Sequence, residues 1–313
     1  MRISLGSSTR CFGPPRTRRG LALAASTAIV LAFGQAGTTN AAFPGKNGRI
    51  AYENHNIFTI RPGGEGKRNL TRSLIGGSRD RSAHYPAYSA DGEQIAFVLE
   101  EDGPAPTSSL FVMNADGSEK TEIPARPGPR QPSFSPDGQS IVYAADDGIF
   151  VTDLAGSAER LTRSGDSPVF SPSGRKIAFV RGNDVWTMNA NGGDLQNLTR
   201  RYPQRGPHGR FFDAPDFSAD GKRILLISDF EAASSYGVYV MRADGRKLEA
   251  LTPPGDRPEE NAASYSPDGR RIVFERFRKR SGLYVMDSDG DGTRRIAALG
   301  GFSTGANSWQ PLP

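Results

Sequence analysis

A chain of 313 residues is long enough for one large domain or two ordinary ones, and its single cysteine, Cys11, has no partner for a disulfide. The 39 basic and 34 acidic residues give a net charge of +5, but five arginines fall before residue 20 and leave 34 against 34 beyond it. A neutral remainder argues against nucleic acid as a partner.

Those five, Arg2, Arg10, Arg16, Arg18 and Arg19, form a basic start without any acid. Leu21 to Phe33 follows as an apolar run, and Asn40-Ala41-Ala42 supplies the small residues after which exported chains are cut. Residues 1–42 are therefore expected to be a signal peptide, and the mature protein to be periplasmic or extracellular. The apolar run is too short to span a bilayer as a mature helix, so no transmembrane segment is expected. Thr17-Arg18-Arg19-Gly20-Leu21 resembles a twin-arginine signal, and both that export route and the general one stay open. Cys11 leaves with this segment, so the core must stabilise the product without a disulfide.

From Phe43 onward the chain repeats itself. Pro132 to Tyr143, PSFSPDGQSIVY, joins an aromatic strand to a second apolar strand through a tight turn, and close copies begin at Pro86, Pro168, Pro215 and Ala263. Proline presets one turn dihedral, the Asp side chain bonds nearby amides and Gly takes the positive φ, so each copy predicts an antiparallel hairpin. A second hairpin follows each copy, as in LFVMNADG from Leu110, VWTMNANG from Val185, VYVMRADG from Val238 and LYVMDSDG from Leu283. Several units then end on Leu-Thr, at Leu161-Thr162, Leu198-Thr199 and Leu251-Thr252. Each unit is four short strands.

Marker isoleucines at 50, 95, 141, 177, 224 and 272 are separated by 45, 46, 36, 47 and 48 residues. Six units of that length and content predict an all-β, six-bladed β-propeller with four antiparallel strands per blade, over residues 43–313. The apolar runs at Ile141, Ile177 and Ile224 are continuous, as in strands covered on both faces. The first unit lacks its leading strand, and Asn307-Ser308-Trp309-Gln310-Pro311 has that strand's pattern with nothing after it to complete a seventh unit. The C-terminal strand is therefore expected to close the ring in the first blade, which removes two exposed sheet edges.

Six recurrences of aromatic, SPDG, apolar strand and YVMNADG-like hairpin resemble the WD-like repeats of TolB-type propellers, over essentially all of the mature chain. The resemblance implies a non-enzymatic scaffold that binds a protein or peptide partner, and a monomer. TolB itself carries an α/β domain before its propeller, whereas here the repeats begin almost at the expected cleavage site. A similar blade motif occurs in the propellers of prolyl oligopeptidase-like peptidases and of some lyases, so fold alone does not decide activity.

For catalysis the residues offer little. Gly301-Phe302-Ser303-Thr304-Gly305 matches a nucleophile elbow but has no later His or acid. His55, His84 and His208 lie in three different units without ligand spacing and read as isolated surface residues. Asp287, Asp289 and Asp291 alternate before Gly292 as at the start of a calcium loop, but Ala298 occupies the place of the expected glutamate. The preferred reading of that stretch is the unit's own hairpin with an extra Asp-Gly, a structural calcium being the alternative; no other cofactor is expected. Arg276, Arg278, Lys279 and Arg280 read as a solvated hairpin tip, and Asn69-Leu70-Thr71 and Asn197-Leu198-Thr199 as strand ends and not glycosylation sites.

The position four residues before each marker aromatic varies among polar types on a constant framework: His84, Arg130, Asp166, Asp213 and Asn261, with Gly305 in the closing copy. In a propeller this position enters the innermost strand at one rim of the channel, so these five are the candidate partner-binding residues. Each capping a turn in water is the competing reading. A lyase or hydrolase acting at the rim, or a carbohydrate-binding module, are the alternative functions; Trp186 and Trp309 are expected to pack between blades and not to serve as sugar platforms.

Overall fold

The computed structural model describes residues 43–78, 80–203, 212–230, 236–252, 259–277, 280–299 and 307–313, all within the compact unit Thr39–Pro313. The expected signal peptide, His208, the elbow around Ser303, and Arg278 and Lys279 lie outside them. The described strands form six four-stranded antiparallel sheets, and no described helix is long and apolar enough to cross a membrane.

Each sheet is one blade. In blade 3 the order from the inside out is Arg130–Phe134, Ser140–Ala145, Gly148–Asp153 and Ala158–Thr162. The other innermost strands are Arg81–Tyr88 in blade 2, Asp166–Phe170 in blade 4, Phe212–Phe217 in blade 5 and Glu259–Tyr265 in blade 6. Blade 1 takes its innermost strand from the far end of the chain: Asn307–Leu312 pairs antiparallel with Lys46–Asn54, placing Trp309 opposite Ile50. The expected closure is what the fold contains.

The turn chemistry read from the repeat is visible atom by atom. In blade 3 the Ser135 hydroxyl donates to Asp137 and accepts the Ser140 N–H at 3.0 Å, while the Gly138 N–H closes the turn on the Ser135 carbonyl at 2.9 Å. Ser89, Ser218 and Ser266 repeat this with Asp91, Asp220 and Asp268, and Ser171 does so with Ser173. The Leu-Thr ends also have a use. Buried Thr71, Thr199 and Thr252 accept the N–H of the second residue of their blade's third strand, from Ile57, Val185 and Val238, at 3.0 to 3.1 Å. Asn69 and Asn197 in turn accept the Thr71 and Thr199 amides through Oδ1, which orders both strand ends.

Six apolar clusters lie between neighbouring blades, and each marker aromatic packs back onto the preceding one. Phe134 meets Ala96, Leu110 and Val112 of blade 2, and Trp309 meets Val273, Leu283 and Val285 of blade 6. The second strand of blade 3 is buried at all six of its positions, as its unbroken apolar run requires.

Candidate functional site

The innermost strands of blades 2 to 6 all break their ladder in the same place. Register slips between His84 and Ala87, Arg130 and Ser133, Asp166 and Val169, Asp213 and Asp216, and Asn261 and Ser264. In four of them the break holds a proline, Pro86, Pro132, Pro168 or Pro215, which has no N–H for the ladder. The residue before it adopts a left-handed conformation without being glycine: Tyr85 at φ 56°, Gln131 at 52°, Ser167 at 50° and Ala214 at 48°, with Ala262 at 41° in blade 6. Each such residue costs about 1 kcal/mol or more, and strain gathered at one end of a scaffold marks the place where side chains are being aimed.

These bulges open into a cavity of about 190 Å³ on the channel axis, lined by all six innermost strands. Tyr85, Gln131 and Ser167 enter it from the bulges, and Ser133, Asp216, Ser264 and Ser308 from the position just before the marker aromatic. Phe43 and the turn residues Pro172 and Pro267 line it as well. The inner residues tie one blade to the next. Ser308 Oγ accepts the Tyr88 N–H at 3.1 Å, Ser133 Oγ accepts the Phe170 N–H at 3.4 Å and Asp216 Oδ2 accepts the Tyr265 N–H at 2.8 Å. Burial pushes the Asp216 carboxyl up to about 7, against the lowering effect of the Tyr265 and Phe217 N–H groups.

The five residues expected from sequence stand beside this cavity and not among its lining residues. Three of them are brought together on blades 3 to 5. Arg130 reaches Asp166 Oδ1 through Nε at 2.8 Å and Nη2 at 2.7 Å. Gln131 Nε2 donates to Ser167 Oγ at 2.9 Å, and Ser167 Oγ donates to Asp213 Oδ1 at 3.0 Å. The result is an arc of hydrogen bonds along half the mouth. Burial holds the Asp213 carboxyl above the usual aspartate range, and the nearby Asp166 charge adds to this, against the Ala214 N–H and the Ser167 hydroxyl. Asn261 stays apart, its Oδ1 accepting the Ala262 N–H at 2.9 Å.

His84 is not the surface residue its isolation in sequence implies. Its ring is 14% exposed, with Nδ1 3.5 Å from the buried Glu53 and Nε2 3.7 Å from Glu100. Burial pulls the imidazole down, but the Glu53 hydrogen bond and the Glu53, Glu100 and Asp102 charges outweigh it and leave the pKa raised. Ser82 Oγ lies 2.8 Å from Nε2, so Ser82, His84 and Glu53 outline a hydrolytic triad. The same carboxylates favour the protonated ring, in which Nε2 donates to Ser82.

Asp287 to Asp291 fold as the repeat's own hairpin: Asp289 Oδ1 accepts the Asp291 N–H at 3.1 Å, as Asp116 accepts from Ser118 and Asp244 from Arg246. Among the described residues no group of three or more His, Cys, Asp or Glu is arranged to hold a metal. Arg276, read from sequence as solvated, instead pairs with buried Glu260 at 2.6 Å and lies over the Tyr284 ring.

Sequence reasoning found the rim and missed the lining. The signal for the bulge was present, since a residue followed by proline recurs three places before four of the marker aromatics. Strict alternation cannot show that the bulge turns that residue and the one before the aromatic toward the axis.

A family model described as the TolB β-propeller domain matches residues 68–210. A crystal structure of TolB from Acinetobacter baumannii superposes with a TM-score of 0.68 at 23% identity, over 84% of this chain and 67% of that one. In sequence, the uncharacterized peptidase YuxL of Bacillus subtilis is 26% identical over 169 residues, 50% of this chain but 24% of that protein. The uncharacterized protein Atu1656 of Agrobacterium fabrum is 26% identical over 163 residues, 46% of this chain and 53% of that one. The repeat, the closure through Trp309 and these likenesses converge on one conclusion: the chain folds as a six-bladed β-propeller similar to that of TolB, and residues 68–210 match the TolB β-propeller family model.

Proposed function

We propose that the chain is an exported scaffold that binds a segment of another protein at the bulged mouth of its channel, in the periplasm or outside the cell, without catalysing a reaction. The observation that carries this reading is the set of five left-handed, non-glycine residues that ring the mouth. Strain of this kind persists where the surroundings hold it, and here it aims three unlike side chains, Tyr85, Gln131 and Ser167, into one cavity. The hydrogen-bonded arc from Arg130 to Asp213 gives the mouth a fixed polar edge that a partner segment can read. The leader-like residues 1–42 support export.

Arg130→Asp combined with Asp166→Arg tests the site, because the swapped pair can re-form and the fold is spared. Each partner is partly exposed, at 32% and 51%, so the pair contributes under about 1 kcal/mol. Pull-down from an envelope extract is expected to lose its bound partner while the melting temperature holds. Undiminished capture by the double variant would place binding elsewhere.

A further inference from the structure

The cavity has one feature that a passive pore does not need. Among the described lining residues Asp216 is the only acid, and none is lysine, arginine or histidine. The carboxylate is held in place by the Tyr265 N–H at 2.8 Å, and around it the lining offers neutral groups, among them the hydroxyls of Ser133, Ser264 and Ser308. A carboxylate removed from bulk water without a cationic partner is costly, and a ligand carrying that cation recovers the cost. At roughly 30 Å³ per water, a cavity of 190 Å³ holds about six waters, close to the volume of one long side chain and too small for a folded element.

We propose that Asp216 seats a single cationic side chain, the ammonium of a lysine or the guanidinium of an arginine, carried into the channel on a segment of the partner protein. This rests on the reading of the channel mouth as the binding site and adds the chemistry of what enters it. The ammonium donates to Asp216 and to neighbouring hydroxyl oxygens, and its aliphatic stem lies along the prolines of the bulges. Binding is linked to protons. With the empty site ionising near 7, a bound cation pulls Asp216 down, so affinity is full at alkaline pH and is lost as pH falls. The neighbours do not change this sign. Tyr265, facing Asp216 from blade 6, is itself pushed up, and Arg223 and Asp220 act on Tyr265 and are not among the groups that shift Asp216. Asp213, on the same strand, is also raised, which makes a variant of Asp216 the necessary control.

The test is saturation-transfer NMR on the full chain with two acetylated and amidated pentapeptides, Gly-Gly-Lys-Gly-Gly and its norleucine counterpart, with n-butylammonium as a third probe. The lysine peptide is expected to bind at about pH 8, to weaken at least tenfold by about pH 5.5, and to lose its advantage over norleucine in Asp216→Asn. Binding of butylammonium as tight as that of the lysine peptide would overturn the peptide part of the proposal and point to a free amine. Equal binding of the lysine and norleucine peptides, or lysine binding indifferent to pH, overturns the cation seat and leaves the channel as a binding site. The pH series uses the unaltered chain, so it stands even where the variant folds poorly. No binding by any probe, with partner capture still lost in the Arg130 and Asp166 double variant, overturns the cation seat alone. No binding by any probe with capture intact overturns both readings.

Discussion

Asp216 ionises at an ordinary aspartate value in the unfolded chain and only at about 7 in the folded one. A carboxyl raised in this way contributes stability that is complete below the unfolded value, near 3.9, and is lost as pH rises through the folded one. Between those limits the folded state holds a proton that the unfolded state has released, so the native group opposes folding progressively more. Asp216→Asn removes the penalty and keeps an oxygen to accept the Tyr265 N–H. Thermal or urea unfolding of this variant is expected to show a gain on the order of 4 kcal/mol well above pH 7 that vanishes below about pH 4. A gain that does not depend on pH would mean that burial is not what perturbs the carboxyl. The same residue that weakens the fold is the one proposed to hold the ligand, as expected where function and stability compete.

At the scale of the element, the two hairpins of each unit use glycine for different reasons. Gly138, in the SPDG turn of blade 3, has φ +70° and open space where a Cβ would stand. Gly245, in the outer hairpin of blade 5, has φ +75° and would bring a Cβ to 2.5 Å from the Leu198 carbonyl oxygen of blade 4. The first glycine serves the turn alone, and the second also serves the contact between blades. Gly138→Ala is expected to cost about 1 kcal/mol, from backbone strain alone. Gly245→Ala is expected to cost about 2 to 4 kcal/mol, because backbone must move as well. Equal losses in chemical unfolding would show that the blades yield at this seam. The hairpin chemistry was legible from single residues, since Ser, Asp and Gly act within five positions of one another. The Leu-Thr ends were legible only as a pattern, because their partners are a strand away in one direction and a blade away in the other.

For the molecule as a whole, closure through Asn307–Leu312 is the contact that turns six sheets into a ring. Trp309 is 4% exposed between blades 1 and 6, and Gln310 bridges to blade 2 through the Gly92 carbonyl at 2.9 Å. Removing residues 307–313 uncovers the inner edge of Lys46–Asn54 and takes Trp309 out of the core between blades 1 and 6. Such a chain is expected to aggregate on heating and to melt well below the full protein, by light scattering and calorimetry. An unchanged melting curve would deny the closing strand its role.

Repetition by itself determined the blade count, the four-strand unit, the turns and the closing strand, because each is a local pattern stated six times over. The site was decided by the tertiary structure. His84 stands alone in sequence, yet Glu53 from the preceding blade lies 3.5 Å from it; Arg130 and Asp166 belong to separate units and meet at 2.7 Å. Asp216 reads as one polar residue in an inner strand until a register slip and five other strands enclose it around the axis. Patterns along a chain record what each residue needs from its near neighbours. What a carboxylate meets across a ring depends on distances that only the closed ring sets.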